Sequence, residues 1–333
     1  MLTRWVNVSD GQQRVRFKYL KQKDVDRILK PLRQDKQRLD AKGDDATEEE
    51  KYLRFKLGNR LNLKPESVTN LIENKAILRG LYAAFKRARH AVEAATTQME
   101  SARFSGLVSK TASDKLVSQV MKTYFRSDAQ THRDRIVDIL RKTRAGLSGP
   151  ITISDCVGLE VGPFGGLAEG IVPFKASAMV AMERDGKTLQ RRYQDSIKGQ
   201  STKKIKQAYS ERCEAETMLM HQYLESGETG SIHIEFSYCL SKSVDAMARV
   251  IAHEATHKFG ATVDFGYADK DTIAPLSPEK AALNADSYAY AAMSFQRLQL
   301  VGPADLDGEP AAVSQKDADL GQLDVAWRKQ SGW

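Results

Sequence analysis

Three residues in one short segment have the types and the spacing of a catalytic metal site. His253 and His257 are four residues apart and Glu254 follows the first of them, in the pattern His-Glu-x-x-His. On a helix, positions i and i+4 lie on one face, so both imidazoles can bind the same Zn²⁺ ion. Glu254 can accept a proton from a water that the metal activates. The segment therefore predicts a zinc hydrolase with one Zn²⁺ per chain.

The residues around this motif predict the helix that the chemistry needs. Ser243 is a suitable N-cap residue, and Gly260 stands where a left-handed C-terminal residue belongs. Between them, apolar residues recur at helical spacing from Val244 to Ala255. We therefore expect a helix over about residues 243–259 that presents both histidines on one face.

A catalytic zinc site needs a third protein ligand, and the chain offers two carboxylates for it. In the pattern HExxHxxGxxH the third ligand is a histidine, but here Val263 occupies that position and cannot bind a metal. Glu279, on a later predicted helix, is one candidate. Asp264, seven residues after His257, is the nearest carboxylate and stands on a short turn. The spacing alone leaves both carboxylates open.

The sequence beyond the motif resembles the aspzincins, the family of deuterolysin and the lysine-specific metallo-endopeptidases. That family carries HExxH followed by a GTxxDxxYG-type segment, and this chain reads GATVDFGYA over residues 260–268. Asn-Ala-Asp-Ser-Tyr at 284–288 is similar to a second segment of the family. The resemblance is strong over residues 253–288. It implies a zinc endopeptidase in which Asp264 is the third metal ligand.

The resemblance also implies roles for two more residues. Tyr267 would donate a hydrogen bond to the developing oxyanion, line the pocket for the residue after the scissile bond, or simply pack. Asp286 would help to bind the ammonium of a substrate lysine, or would support the turn that carries Asp264. The lysine-specific relatives have a second acidic residue three positions on, where this chain has Ala289. We therefore do not expect strict lysine preference.

The fold class expected is α+β and predominantly helical. The resemblance implies a zincin-like catalytic domain with a short β-sheet and the HExxH helix, preceded by a helical N-terminal region. The expected divisions are a basic helical extension (1–75), an aspzincin-like domain (76–300, with a helical first half to about 148, an insertion at about 160–229 and the zinc site at 243–290), and a polar C-terminal tail (301–333).

An alternating segment, Ser231–Phe236, predicts a strand just before the zinc helix. Because this strand lies just before the zinc helix, we hypothesise that an extended peptide substrate pairs with it. The resemblance implies that residues 232–239 form the edge strand of the sheet. In fungal relatives a cysteine at the end of that strand is disulfide-bonded. The resemblance thus implies a bridge between Cys156 and Cys239.

Charge is unevenly distributed along the chain. The first 150 residues hold 32 Lys+Arg against 18 Asp+Glu, whereas the remainder holds 19 against 25. Solvated helix faces explain such a balance, and a basic half can also dock on nucleic acid, an anionic membrane or an acidic partner. No nucleic-acid-binding motif accompanies the charge, so no specific nucleic acid is expected as a partner.

The sequence has no run of eighteen apolar residues and no apolar stretch at its N-terminus. We therefore expect no transmembrane segment and no classical signal peptide, and synthesis in the cytoplasm. With the resemblance, this favours a signal-less effector or toxin that a dedicated secretion system exports. Its partners would be a protein or peptide substrate and, through the N-terminal region, the secretion machinery or an immunity protein.

Two other functions stay open. The first is a zinc amidase that cuts cell-wall peptide, because HExxH chemistry does not fix the substrate. The second is a basic interaction module whose HExxH site is inactive.

Overall fold

Helices form most of the described chain, as the sequence predicts. The computed structural model describes residues 4–5, 16–17, 55–57, 61–64, 75–102, 112–127, 129–155, 160–161, 166–167, 170–268 and 271–311. Its helices are α1 (Lys75–Ser101), α2 (Ala112–Tyr124), α3 (Gln130–Ser148), α4 (Ala176–Ile197), α5 (Thr202–Glu225), α6 (Val244–Gly260), α7 (Pro278–Ala281) and α8 (Ala285–Arg297). Together with a small sheet they confirm the α+β class. None of the described helices is both long enough and apolar enough to cross a membrane.

The sheet is short-stranded and mixed. Its strands are β3 (Phe55–Leu57), β4 (Leu61–Lys64), β5 (Ile151–Asp155), β8 (Gly170–Ile171) and β9 (Ile232–Ile234). Two separate two-stranded ribbons pair β1 (Arg4–Trp5) with β2 (Arg16–Phe17), and β6 (Glu160–Val161) with β7 (Gly166–Leu167). The strand order in the sheet is β3-β4-β5-β9-β8. Strands β4, β5 and β9 run parallel, and β8 pairs antiparallel with β9.

The strand that precedes α6 is not an edge strand. Because β9 lies between β5 and β8, both of its backbone edges are already paired. The edge is β8, which comes from a glycine-rich segment, and glycine gives little strand signal. The prediction that Ser231–Phe236 offers a free edge to a peptide substrate is therefore wrong.

Two of the predicted divisions also need correction. The extension over residues 1–75 was expected to be helical, but residues 55–57 and 61–64 are strands, and β4 pairs with β5. The sheet therefore crosses the boundary predicted at residue 75. At the other end, Val301, Leu306 and Ala311 are buried, so the packed part of the chain extends past residue 300. Residues 312–333 lie outside the described residues.

The predicted disulfide concerns one described cysteine and one that is not described. Cys239 is buried and free in the structure, within the short 3₁₀ helix Phe236–Leu240. Cys156 lies outside the described residues. Burial raises the pKa of the Cys239 thiol, so this side chain behaves as a small apolar core group.

Helix α6 runs through the centre of the helical layer and packs on α1, α3 and α8. Ser243 caps it, since its hydroxyl accepts a hydrogen bond of 3.0 Å from the Ala246 amide. The left-handed residue at its C-terminus is Ala261, with φ of 55°, and not Gly260 as predicted. Gly260 is instead required by packing, because a Cβ there would lie 2.7 Å from Cγ2 of Ile139 on α3.

The first turn of α6 is fixed by charge. Asp245 forms an ion pair of 2.6 Å with Nε of Arg87 on α1, and a second ion pair with Arg297 on α8. The Arg87 and Asp245 side chains are only 6% and 11% exposed. Removing one partner of such a buried cluster leaves an uncompensated charge, so the cluster fixes how α1, α6 and α8 are arranged.

Helix α3 packs closely against α6 at Gly146, which has no side chain. A Cβ at Gly146 would lie 2.3 Å from the Phe259 ring. We expect Gly146→Ala to lower the free energy of unfolding by about 1–3 kcal/mol through overpacking. The matched control is Gly186→Ala on α4, where a Cβ would meet nothing within 4 Å. At that position alanine should raise the free energy of unfolding by up to about 1 kcal/mol, because alanine favours the helix more than glycine does. Denaturant titration measures both, and equal effects at the two positions would contradict the packing argument.

Candidate metal centre

Helix α6 places two histidines side by side. Nε2 of His253 and Nε2 of His257 are 3.1 Å apart, and the two rings are nearly perpendicular at 82°. His253 is 6% exposed. The predicted i, i+4 geometry is therefore present on a buried helix whose other faces pack on the core.

The turn after α6 brings a carboxylate to the same point. Oδ1 of Asp264 lies 3.3 Å from Nε2 of His253, and Oδ2 lies 3.4 Å from Nε2 of His257. The candidate ligand atoms of the three residues all lie within 4.8 Å of one another. Glu279, the other carboxylate that the spacing left open, is 70% exposed on α7 and lies 3.5 Å from His132. The structure thus brings Asp264, and not Glu279, to the histidines.

The far nitrogen of each imidazole has its own partner. Nδ1 of His257 donates to the carbonyl oxygen of Thr262 at 2.7 Å, because a carbonyl can only accept. Nδ1 of His253 faces Oδ1 of Asp286 at 3.1 Å. A neutral imidazole with its proton on Nδ1 presents a lone pair at Nε2. Both Nε2 lone pairs therefore point at each other and at the Asp264 carboxylate.

Burial alone would lower the pKa of both imidazoles, but the charge of Asp264 raises it, so a positive charge among these groups is favoured. When both rings are neutral, the three groups form a cluster of acceptors that is repulsive unless a metal cation lies among them. Ligands about 2.0–2.1 Å from a tetrahedral zinc are separated from one another by about 3.3–3.4 Å. The three observed separations are 3.1, 3.3 and 3.4 Å. Two nitrogens and one carboxylate are also a donor set that zinc takes in catalytic sites. The residues present therefore fit a zinc ion.

Asn284, which the resemblance includes in the segment 284–288 without a role of its own, holds the turn that carries Asp264. Its Oδ1 accepts hydrogen bonds from the amides of Phe265 and Gly266, at 2.8 and 2.9 Å. Its backbone forms an isolated bridge with Val263. For this reason the later predicted helix that carries Glu279 ends at Ala281, and α8 begins separately at Ala285. The available signal was an asparagine directly before a helical segment, which is a preferred N-cap residue type.

Asp286 is engaged on both of its oxygens. Oδ1 faces His253 and accepts from Nη1 of Arg249 at 3.2 Å, and Oδ2 accepts from the Ala268 amide at 2.8 Å. Burial alone would raise the pKa of this carboxyl, but the hydrogen bond and charge of His253 and the charge of Arg249 lower it. The side chain is 1% exposed. No motif or spacing pointed to Arg249 as a residue of this site.

Glu254 is buried beside the three candidate ligands. It is 4% exposed, and within the described part of the chain its Oε2 has no hydrogen-bond partner. The edge strand β8 covers it so closely that a Cβ on Gly170 would lie 2.9 Å from its Oε1. Burial raises the pKa of the Glu254 carboxyl, although the two histidines oppose this. A carboxylate in this setting has an increased tendency to take up a proton.

Tyr267 lies against the same cluster. Its ring stacks on that of His253 with a centroid separation of 6.3 Å and an angle of 15°. Burial, and then the charge of Asp264, raise the pKa of the phenol. The hydroxyl therefore stays protonated and remains a hydrogen-bond donor.

Similarity to known proteins falls on this part of the chain. Residues 181–293 match the family described as lysine-specific metallo-endopeptidase, the aspzincins, which confirms the resemblance. One similar solved structure is the zinc peptidase from Grifola frondosa, with a TM-score of 0.38 and 14% sequence identity, over 67% of this chain and 95% of that chain. No curated protein matches the sequence.

Proposed function

We propose, from the match of residues 181–293 to the aspzincin family, that the protein is a zinc-dependent endopeptidase. The observation that carries the proposal is the meeting of two Nε2 lone pairs and one carboxylate within 4.8 Å. The Nδ1 partners of His253 and His257 direct those lone pairs inward. A helix that packed histidines for stability alone would have no need of this arrangement.

His253, His257 and Asp264 would hold the ion, one Zn²⁺ per chain. When bound, zinc supplies a Lewis acid that polarises the substrate carbonyl and lowers the pKa of water toward about 7. Three protein ligands leave a fourth position open, which is the condition for catalysis rather than a structural role.

Glu254 would act as the general base. Its carboxylate accepts a proton from the attacking water as the C–O bond forms, and it then delivers that proton to the leaving amine as the C–N bond breaks. Its position next to both histidines, its unpartnered Oε2 and its raised pKa all support this role. A single side chain thus carries the proton from the attacking water to the leaving amine.

Tyr267 would donate to the oxygen on which charge develops. A protonated phenol beside His253 supports this role, because a preorganised donor stabilises an oxyanion without reorganisation cost.

Of the two roles considered for Asp286, its burial and its contacts favour support of the metal site. A carboxylate that is 1% exposed and already accepts from Arg249 and Ala268 has no free face for a substrate ammonium. Partners of this kind orient the ligating imidazole and raise its basicity. We therefore propose that Asp286 positions His253 and that lysine selection does not depend on it.

The first test separates metal binding from catalysis. We expect Glu254→Gln to bind zinc at one ion per chain and to lose cleavage of casein by about 10²–10⁴-fold, because only the proton acceptor is removed. The matched control is Glu211→Gln on the exposed surface of α5, which should leave both properties unchanged. Metal analysis and a cleavage assay measure them. Wild-type protein without zinc, or a fully active Glu254→Gln, would refute the proposal.

A second test concerns Asp286. We expect Asp286→Asn to weaken zinc binding by about 10–100-fold, because the charged partner of His253 is lost. The control is Asp195→Asn, whose side chain is 72% exposed on α4. Competition with a chromophoric chelator measures the affinity. Unchanged zinc affinity together with a higher KM for lysine-containing peptides would favour the substrate role instead.

A third test concerns strand β8, which covers the proposed general base Glu254. Gly170→Ala should reduce kcat by about 100-fold, since an error of about 1 Å in the position of a catalytic group has that cost. Zinc content should not change, because Gly170 touches Glu254 and not the candidate ligands. Gly186→Ala is again the matched control. Full activity of Gly170→Ala would show that β8 leaves Glu254 free to move.

A further inference from the structure

Helices α4 and α5 form a hairpin that projects from the metal-binding part of the chain. At its base the Phe174 and Tyr223 rings are in contact, with centroids 6.3 Å apart, and His221 is buried against the end of α6. No residue from 179 to 220 is buried. At 1.5 Å per residue, the 22 residues of α4 extend about 33 Å from this base.

Charge is segregated toward the far end of this hairpin. We call residues 191–206 the hairpin tip. The tip holds six basic residues and one acidic residue, Asp195, although residues 151–333 as a whole carry more Asp+Glu than Lys+Arg. All six basic side chains are exposed, namely Arg191, Arg192, Lys198, Lys203, Lys204 and Lys206. The positive charge is therefore concentrated at the tip, within a part of the chain whose net charge is negative.

The basic residues nearer the base are neutralised within the hairpin. Lys187 pairs with Glu183 at 2.6 Å, and Arg212 pairs with Glu216 at 3.0 Å. In the tip, only Lys198 has such a partner, at 2.6 Å from Asp195. The other five cations form no ion pair with any residue that the structure describes. Like charges so close together repel one another, and an external polyanion would relieve that repulsion.

We propose that the hairpin tip docks the protein on the surface of an anionic lipid bilayer. Clusters of four to eight Lys and Arg on a helical segment are typical of binding to anionic lipid. Ile197 and Ile205 lie among the lysines and are only half-buried, which suits a surface with an apolar layer below its charges. A projecting end also meets a plane without steric hindrance from the body of the protein.

The contacts of the tip favour lipid over nucleic acid. Base recognition needs accessible aromatic rings, but Tyr193, the aromatic residue of the tip, has Arg212 over its ring at 5.1 Å and the Tyr209 ring at 6.3 Å. The docking does not rest on the proposed peptidase activity. It would place the metal centre roughly the length of α4 from the bilayer.

The experiment compares full-length protein on vesicles of phosphatidylcholine alone and of phosphatidylcholine with phosphatidylglycerol. At about 0.1 M salt, where screening acts over about 10 Å, we expect binding to the anionic vesicles only. The variant Lys203→Gln/Lys204→Gln/Lys206→Gln should bind about 100-fold more weakly, since each basic residue near the surface contributes about fivefold. The corresponding triple Lys→Arg variant should bind like wild type.

The matched control removes three exposed lysines elsewhere, as Lys115→Gln/Lys122→Gln/Lys142→Gln on α2 and α3. It should retain binding, and this comparison also separates the tip from the basic first half of the chain. An equal loss in the control, equal binding to both kinds of vesicle, or binding to duplex DNA but not to vesicles would overturn the proposal. Unchanged thermal unfolding and peptide cleavage in the tip variant would show that the loss is not one of fold.

Discussion

The arrangement around α6 depends on one electrostatic constraint, the meeting of two imidazoles and one buried carboxylate at a single point. The Nε2 atoms of His253 and His257 face each other at 3.1 Å and both face Asp264. The negative charge of Asp264 favours a positive charge among these groups, either a metal ion or a proton on an imidazole, whose pKa Asp264 raises against the effect of burial. Every neighbouring contact serves to hold the three groups there, since thermal motion and mutual repulsion would otherwise separate them.

The supporting contacts come from three different parts of the fold. Thr262 and Asp286 fix the ring orientations, and Asn284 ties the Asp264 turn to the start of α8. The ion pairs of Asp245 with α1 and α8 then fix α6 itself. Because these contacts lie on separate elements, the geometry of the site is a property of the packed helical layer and not of the motif alone.

The same distinction between local features and contacts across the fold explains which parts of the structure could be predicted from the sequence. The α6 helix was predictable because its apolar periodicity, its cap and its HExxH spacing are local, and the resemblance selected Asp264 from two carboxylates. Asn284, Arg249 and Gly170 were not predictable, since each acts on a residue at least eighteen positions away. The strands at 55–57 and 61–64 were missed for a related reason, because segments of three or four residues gain their stability from partners distant in sequence.

Two polar contacts connect the hairpin to the elements around the metal site. Nδ1 of His221 on α5 lies 2.6 Å from the carbonyl oxygen of Ala261, the residue that ends α6 between His257 and Asp264. Glu214 on α5 also pairs with Nζ of Lys280 on α7 at 2.8 Å. The hydrogen bond contributes about 0.5–1.5 kcal/mol and the exposed ion pair about 0–1 kcal/mol. A ligand at the tip can shift the site only by its differential interaction with two states of these contacts. Because the contacts are weak, the proposed docking would orient the metal centre rather than switch it on or off.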